Sequence, residues 1–436
     1  MRTDGDIAIV GAGYVGLTSA ACFCEMGHRV RLVEVNPHRV SQIRAGTCPI
    51  YEQGLPELLR RHVGDRLAVY DDLAAATAGA RAIFVCVGTP PRASGAPDLG
   101  ALSGLLSELA RLDLDDTVVV LKSTVPPGTN RMVYEALGKQ VPVVSNPEFL
   151  REGTAVWDFF HPDRVVVGSP DAEAALGVAG LYAGVDAPLL VTGWEEAELI
   201  KYATNSFLAI KISFANEMAA LCEALGAEAP DVLKGLGLDH RVGAQFLRPG
   251  PGYGGSCLPK DIKGLAWRAR RAGVKLDLLA AAERANARVR VRLLEKLSRE
   301  LGGLAGVTVA VWGLAFKAGT DDLRGAASGD LVPRLLEAGA RVRAYDPAAG
   351  ENFAALFPLE EHPGLMIAGD QWEALHGADA LLILTEWDAF AAPPLEIRRH
   401  LGGRVVVDSR NLLDPDQAAS VGLVYRGTGR GRLGRG

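Results

Sequence analysis

The first apolar run of the chain, Ile7 to Val10, is short and uninterrupted, the pattern of a strand buried on both faces. Gly11-Ala-Gly13-Tyr-Val-Gly16 follows, and Leu17 to Met26 is helix-compatible, with Gly27 placed to cap it. Arg29 to Val35 reads as a second strand. The strand pattern recurs at Ala82 to Val87, Thr117 to Leu121 and Val141 to Ser145, with helical stretches between. Strand and helix alternating at this spacing predict a parallel doubly wound sheet.

The middle of the chain has a different period. Thr192-Gly-Trp-Glu195 has capping-box spacing, and apolar residues then recur at helical intervals, without proline, to Leu225 and a stop at Gly226. This predicts a helix of about thirty residues, long for a globular domain. Leu208, Ile210, Ile212, Phe214, Met218 and Leu221 make it apolar all round, more than one domain face covers, which predicts at least a homodimer. Asp261 to Leu301 reads as a second helical block. From Gly306 the β/α rhythm returns. Glu337-Ala-Gly339-Ala-Arg341-Val-Arg343-Ala-Tyr-Asp346 echoes Glu25-Met-Gly27-His-Arg29-Val-Arg31-Leu-Val-Glu34, and Gly377-Ala-Asp-Ala-Leu echoes Gly79-Ala-Arg-Ala-Ile. The fold class is α/β: two Rossmann-like doubly wound domains, residues 1–192 and 303–436, joined by a central helical dimerisation domain, residues 193–302. After Val311-Trp312 only Gly313 stands where the first copy has three glycines, so the second sheet is expected to bind something other than a dinucleotide.

Composition narrows the classes. A chain of 436 residues, 48% apolar and 22% charged, fits two to three globular domains and excludes disorder. No stretch approaches a membrane span, and Asp4 and Asp6 stand where a signal peptide needs positive charge. Net charge is −6, with no basic stripe to follow a nucleic acid. The Gly/Arg run at the C-terminus reads as a frayed end. Six cysteines without CxxC or zinc spacing suit reduced thiols in a cytoplasm and leave no metal site. Any chemistry is expected from an organic cofactor or from single residues.

Three segments carry that chemistry. Gly11-x-Gly13-x-x-Gly16 follows a strand, opens a helix, and is followed 18 residues after its last glycine by Glu34 at a strand end. That is a dinucleotide fingerprint, and the Glu34 carboxylate suits two ribose hydroxyls while repelling a 2′-phosphate, favouring NAD over NADP. In Gly250-Pro-Gly-Tyr-Gly-Gly-Ser-Cys257-Leu-Pro-Lys260-Asp261, glycines and prolines hold a loop open and Cys257 precedes a helical segment near Lys260. A thiol so placed is a nucleophile, with Asp261 as base or water-orienting group. Cys22, Cys24, Cys86 and Cys222, in apolar elements, read as buried small hydrophobes. Asn146-Pro-Glu148-Phe-Leu-Arg-Glu152 and Lys122-Ser-Thr124 follow strand ends, where doubly wound sheets keep their ligands. Lys201 and Asn205 share one helix face. On spacing alone, these carboxylate and Lys/Asn pairs fit a solvated surface equally well.

Taken in order, the fingerprint, NPEFLREG, the Lys/Asn pair, GYGGSCLPKD and the second fingerprint-free half resemble the UDP-glucose/GDP-mannose dehydrogenase family over nearly the whole chain. PGPGYGGSC and IYExGLPELL are most similar to its members that oxidise UDP-glucose; relatives act on GDP-mannose or UDP-N-acetyl sugars. The resemblance implies oxidation of the sugar C6 alcohol to a carboxylate with two NAD per turnover and no release of aldehyde. It implies Cys257 as nucleophile, Asp261 in the water and base network, Lys201 and Asn205 at the oxyanion, Glu152 in thioester hydrolysis, and Thr124 nearby. It places the cofactor against Gly11, Gly13, Tyr14, Val15, Gly16, Glu34, Arg39, Thr89, Thr124, Glu152, Lys260 and Arg324. It places the substrate against Glu148, Phe149, Leu150, Arg151, Glu152, Lys201, Asn205, Phe246, Arg248, Gly250, Tyr253, Gly254, Cys257, Phe316, Lys317 and Arg410, with Arg241 reaching in from a partner subunit. Two departures stand out: Arg324 is followed by Gly325-Ala326-Ala327-Ser328 where members usually carry Glu, Ser and Pro, and Gly88 replaces a commoner Asn.

The chemistry is consistent with that resemblance. One hydride transfer cannot turn an alcohol into an acid, so the aldehyde must be held between two; a thiolate does so as a thiohemiacetal and then a thioester. A one-step β-hydroxyacid dehydrogenase needs neither the cysteine nor the second Rossmann half. A non-catalytic nucleotide-sugar sensor needs none of Cys257, Lys260, Asp261, Lys201 and Asn205.

Overall fold

Alternate residues of β1 (Ile7–Val10) enter two different cores: Ile7 and Ile9 pack with Phe84, Val118 and Val120, and Ala8 and Val10 with Ile83, Val85, Val119 and Leu121. A sheet covered on both faces needs apolar residues at every position of its central strands, hence the unbroken runs. The computed structural model describes residues 5–431; Asp4 and residues 432–436 of the Gly/Arg run lie outside the described residues. It divides into two compact units, Met1–Thr204 with Lys263–Lys275, and Asn205–Ile262 with Leu276–Gly436.

The first unit is built on eight strands: β1, β2 (Val30–Val33), β3 (Leu67–Tyr70), β4 (Ala82–Val85), β5 (Val118–Leu121), β6 (Val143–Ser145), β7 (Val165–Gly168) and β8 (Leu189–Thr192). Their spatial order is β3-β2-β1-β4-β5-β6-β7-β8. The first six run parallel in the doubly wound order, reversing direction of growth at β1, which leaves a crevice beyond the strand ends there. β7 pairs with β6 antiparallel, and β8 with β7 parallel, so the sheet is mixed rather than wholly parallel as the sequence pattern predicts.

The second unit repeats the arrangement with β9 (Thr308–Trp312), β10 (Arg341–Tyr345), β11 (Leu365–Ile367), β12 (Ala380–Ile383), β13 (Val405–Asp408) and β14 (Val424–Gly427), ordered β11-β10-β9-β12-β13-β14 and all parallel. Both sequence echoes are structural. The amide of Arg81 donates to Asp6 in the first unit, and that of Asp379 to Thr308 in the second, each just before the strand that pairs with the sheet's first.

The helix Trp194–Leu225 has 32 residues, as its periodicity predicts. Its start differs in detail. Thr192 ends β8, the first helical bond runs from Ala197 to the Gly193 carbonyl, and the Glu195 carboxylate pairs with Arg131 at 2.8 Å. The capping-box spacing is therefore one residue out of register with the helix. The block Asp261 to Leu301 is two helices, Leu258–Arg271 and Asp277–Leu301, broken at Gly273, whose φ of +75° a helix cannot hold. An additional helix, Ala229–Gly237, precedes them. The C-terminal run is not frayed up to residue 431. β14 completes the second sheet, Arg426 pairs with Glu300 at 2.7 Å, and Arg430 with Glu228 at 2.9 Å.

Candidate active site

The three fingerprint glycines are needed for three different reasons. Gly11 has φ +101°, and a Cβ there would lie 2.9 Å from the Cys86 carbonyl; one at Gly16 would meet the Gly11 carbonyl. At Gly13 the space is open, so the turn presents bare backbone at the start of the helix Tyr14–Glu25, the place for a pyrophosphate. Glu34 is buried at the end of β2, with Oε2 accepting the Ala12 amide at 3.3 Å and Oε1 the Asn36 amide at 2.8 Å. Arg39 is half-buried one turn later in the helix Pro37–Arg44. Val15 packs on the core and Tyr14 turns its hydroxyl to Glu52. Thr89 and Thr124, beyond β4 and β5, are joined: Thr89 Oγ1 donates to the Thr124 carbonyl at 2.8 Å.

Beyond β6 the chain Asn146–Glu152 brings several expected groups together in the first unit. Glu148 is buried; its Oε1 accepts from Lys201 Nζ at 2.9 Å and its Oε2 from the Leu150 amide at 2.6 Å. Lys201, 4% exposed, is thus a buried ammonium paired with the Glu148 carboxylate. Arg164 lies 3.9 Å from the Phe149 ring centroid. Lys122 donates to Asn146 Oδ1 at 3.1 Å and to the Tyr182 hydroxyl at 2.9 Å, fixing the strand end below. Glu152 is half-buried. Beside it, Leu150 packs on the core and Arg151 pairs with Asp158 at 2.5 Å.

In the second unit the cluster centres on Cys257. The Asp261 amide donates to the Cys257 carbonyl at 2.9 Å, so Cys257 caps the helix Leu258–Arg271, whose N-terminus favours an anionic sulfur. Cys257 is half-buried, and its Sγ lies 3.5 Å from Ser256 Oγ. Burial pushes the Cys24 and Cys86 thiols up to about 12 and Cys22 further. Asp261, fully buried, accepts from Asn205 Nδ2 at 2.6 Å, and Lys260 Nζ sits 2.7 Å from its other oxygen, a charge contact outside hydrogen-bond angles. Lys201 and Asn205 are one turn apart on the long helix.

Around this cluster, a Cβ at Gly254 would lie 2.4 Å from the Gly325 carbonyl, and one at Gly255 would strike the Phe316 ring. The Gly255 amide donates to the Arg324 carbonyl at 2.8 Å. Arg410 reaches the Leu384 carbonyl at 2.9 Å and the Phe316 carbonyl at 3.2 Å, and lies beside Gly250. Lys317 Nζ lies 5.6 Å from the Phe316 centroid. Phe246 has φ +62°, a strained conformation for a bulky residue. The Arg324 guanidinium is turned to Asp322, Arg248 is exposed, and Arg241 is exposed and paired only locally, with Asp239.

Family models match in three consecutive stretches: the NAD binding domain over residues 5–186, the central domain over 195–288 and the UDP binding domain over 310–415. The chain belongs to the UDP-glucose/GDP-mannose dehydrogenase family. It is 44% identical over 444 residues to a UDP-glucose 6-dehydrogenase of Pseudomonas aeruginosa, covering 98% of each chain. It is 42% identical to one of Haloferax volcanii, covering 94% of this chain and 97% of that one. Among solved structures, a UDP-glucose dehydrogenase of Pyrobaculum islandicum superposes with TM-score 0.90 at 38% identity, over 98% of each chain. A UDP-D-ManNAc dehydrogenase of Pyrococcus horikoshii gives 0.85 at 26%, over 98% of this chain and 99% of that one. The protein is an NAD-dependent dehydrogenase acting on a nucleotide sugar, and the bare Gly13 backbone with the braced Glu34 fits that cofactor.

In the second unit Asp346 occupies the place of Glu34, but its Oδ2 takes the amides of both Leu314 and Ala315, at 2.8 and 3.0 Å. Those turn amides are consumed inside the fold and are not offered to a pyrophosphate. Residues that no motif singled out hold the cysteine loop. Asn216 Oδ1 accepts the Gly250 amide at 2.8 Å, and Asn286 grips Tyr253 by both backbone groups, at 2.7 and 3.1 Å. Arg290 donates to the Gly325 carbonyl at 2.7 Å. The available signal was an asparagine, a poor helix former, in the middle of each long helix. No helix among the described residues is long and apolar enough to cross a membrane.

Proposed function

We propose that this enzyme oxidises the C6 alcohol of UDP-glucose to the carboxylate of UDP-glucuronate in two successive two-electron steps on Cys257. The observation that carries the reading is Cys257 at a helix N-terminus, in a glycine loop, beside the Asn205–Asp261–Lys260 cluster. UDP-glucose is preferred because relatives bearing that name are 44% and 42% identical over almost the whole chain, whereas the UDP-D-ManNAc enzyme is 26% identical.

When bound, NAD accepts a hydride in each oxidation. Asp261 and its network take the C6 hydroxyl proton, and the Lys201 ammonium and Asn205 amide stabilise the oxygen as the alcohol becomes an aldehyde. The Cys257 thiolate adds to that carbonyl, and the resulting oxyanion takes a proton. Oxidation of this thiohemiacetal leaves a thioester, which water cleaves with help from Glu152, releasing the acid and restoring the thiol. The sum is RCH₂OH, two NAD⁺ and one water giving RCOO⁻, two NADH and three protons. Thr124, beyond the end of β5, is assigned a place nearby, and Glu148 keeps Lys201 in place. Phe246, Arg248, Gly250, Tyr253, Gly254, Phe316, Lys317 and Arg410 are assigned to the nucleotide sugar, Arg39, Thr89, Lys260 and Arg324 to NAD.

Segments 1–192, 193–302 and 303–436 are assigned to cofactor, assembly and nucleotide sugar. The assembly is proposed to be a homodimer. Phe207, Phe214 and Leu221, seven residues apart, are 62%, 43% and 50% exposed, a stripe that a two-fold copy of the same helix can cover. Arg241, exposed, is assigned to the partner's substrate. Of the apolar residues that predict this face, Leu208, Ile210, Ile212 and Met218 are half-buried. Six free thiols suit a cytoplasmic enzyme. NADH formation with UDP-glucose, GDP-mannose, UDP-N-acetylglucosamine and UDP-N-acetylmannosamine tests the substrate; a higher kcat/KM for any but UDP-glucose overturns the choice.

A further inference from the structure

Glu52 lies in the loop before the helix Leu55–His62, 4% exposed, within the IYExGLPELL segment and outside both the glycine fingerprint and the cysteine loop. Its Oε1 accepts the Ala155 amide at 2.8 Å. Its Oε2 accepts the Gly153 amide at 2.7 Å and the hydroxyl of Tyr14. Gly153, at φ +86°, follows Glu152 directly, and its amide also lies 2.9 Å from the Tyr14 oxygen. One buried carboxylate therefore holds the turn after Glu152 and the first residue of the fingerprint helix together. Hydrogen bonds to an ionised acceptor are the strong ones, and a side chain is held in place by the groups that fix its backbone.

We infer that Glu52 is a positioning residue for thioester hydrolysis: it fixes the Glu152 turn against Tyr14, and so sets where Glu152 can direct water. The inference rests on the role proposed above for Glu152. A glutamine at position 52 keeps the size but offers one acceptor oxygen and turns an N–H₂ toward donors, so the turn shifts while β1, the glycine turn and Lys201 stay in place. Hydrolysis is then impaired selectively, after both oxidations.

The test is rapid-mixing kinetics on the full-length enzyme with NAD and UDP-glucose, with acid-quenched samples weighed for the UDP-glucuronyl adduct on Cys257. Glu152→Gln is run first and tests the underlying reading: it should give a burst of two NADH per active site and accumulate adduct. If it does neither, the role of Glu152 fails and the inference with it. Glu52→Gln should then reproduce the burst, with steady-state turnover at least tenfold lower and the burst rate and KM for NAD within about threefold of wild type. A folded Glu52→Gln enzyme without burst, whether it turns over normally or loses both phases equally, overturns the inference. Should that variant not fold, Tyr14→Phe, which removes one arm of the clasp, carries the test. It should lower the ratio of hydrolysis to burst rate, and an unchanged ratio overturns the inference.

Discussion

Replacing Asn286 with alanine should damage the cysteine loop without touching any group assigned to chemistry. Asn286 makes two bonds to Tyr253, accepting its amide at 2.7 Å and donating to its carbonyl at 3.1 Å, and Tyr253 is 5% exposed, so water does not readily replace them. An unsatisfied buried backbone group costs about 1–3 kcal/mol. The carbonyl keeps Arg290 at 3.4 Å, a long contact, so the combined loss is set near 2–4 kcal/mol on the same scale. The loop can escape part of this by moving, and the moving part carries Cys257 four residues on. Roughly half the loss, appearing as misplacement of the thiol, corresponds to about a 5- to 30-fold fall in kcat/KM for the nucleotide sugar, at 1.4 kcal/mol per factor of ten. The rest should appear as a lower melting temperature. KM for NAD should stay within about threefold, because the fingerprint lies in the other unit. Asn286→Asp retains an acceptor for the Tyr253 amide and should lose less than alanine. Steady-state kinetics and thermal melts on the same preparations decide the matter. If Asn286→Ala is wild type in both, the clasp does not hold the loop.

Burial lifts the Glu198 carboxyl to about 7, although it accepts the Gly128 and Asn130 amides. Its folded value exceeds its unfolded one, so its stabilisation is complete below the ordinary carboxylate range and lost as pH rises through about 7. The stability of wild type relative to Glu198→Gln should therefore fall between about pH 5 and pH 8, by at most about 3 kcal/mol at 1.36 kcal/mol per unit, and denaturant titrations showing a rise would contradict it. Glu34 should make NADP a poor cofactor, with kcat/KM at least about a hundredfold below that for NAD; comparable values would remove the carboxylate from cofactor choice. Phe214→Glu should shift the sedimentation of the enzyme toward monomer at micromolar concentration, since a charge at a desolvated interface is disfavoured. An unchanged assembly would place the contact elsewhere.

What could be read from the sequence is local. β1, the glycine turn and Glu34 lie within about thirty residues, and the Cys257 loop announces itself because glycines and prolines are rarely packed so densely without a ligand or backbone passing close. Whole strands were legible because both faces of the sheet are covered, which forces unbroken apolar runs such as those at Ala82 and Val118. The clasps were not. Glu52 meets Gly153 across 101 positions and Asn286 meets Tyr253 across 33, and neither pairing leaves a period in the chain. The start of the long helix was misplaced by one residue because capping-box spacing at Thr192 coincided with the end of a strand, and the sheet ladder took that residue. The C-terminal run misled through composition alone: Arg426 and Arg430 are paired with Glu300 and Glu228, partners far back in the chain.

The central claim is that one thiol holds the substrate between two oxidations. It is tested most directly by counting NADH formed per UDP-glucose consumed under limiting sugar, with an aldehyde trap present, for wild type and Cys257→Ala. Two NADH per sugar with nothing trapped by wild type, and turnover lower by orders of magnitude in a folded Cys257→Ala enzyme that still binds NAD and UDP-glucose, is the predicted result. A folded Cys257→Ala enzyme with near wild-type turnover and two NADH per sugar would contradict it.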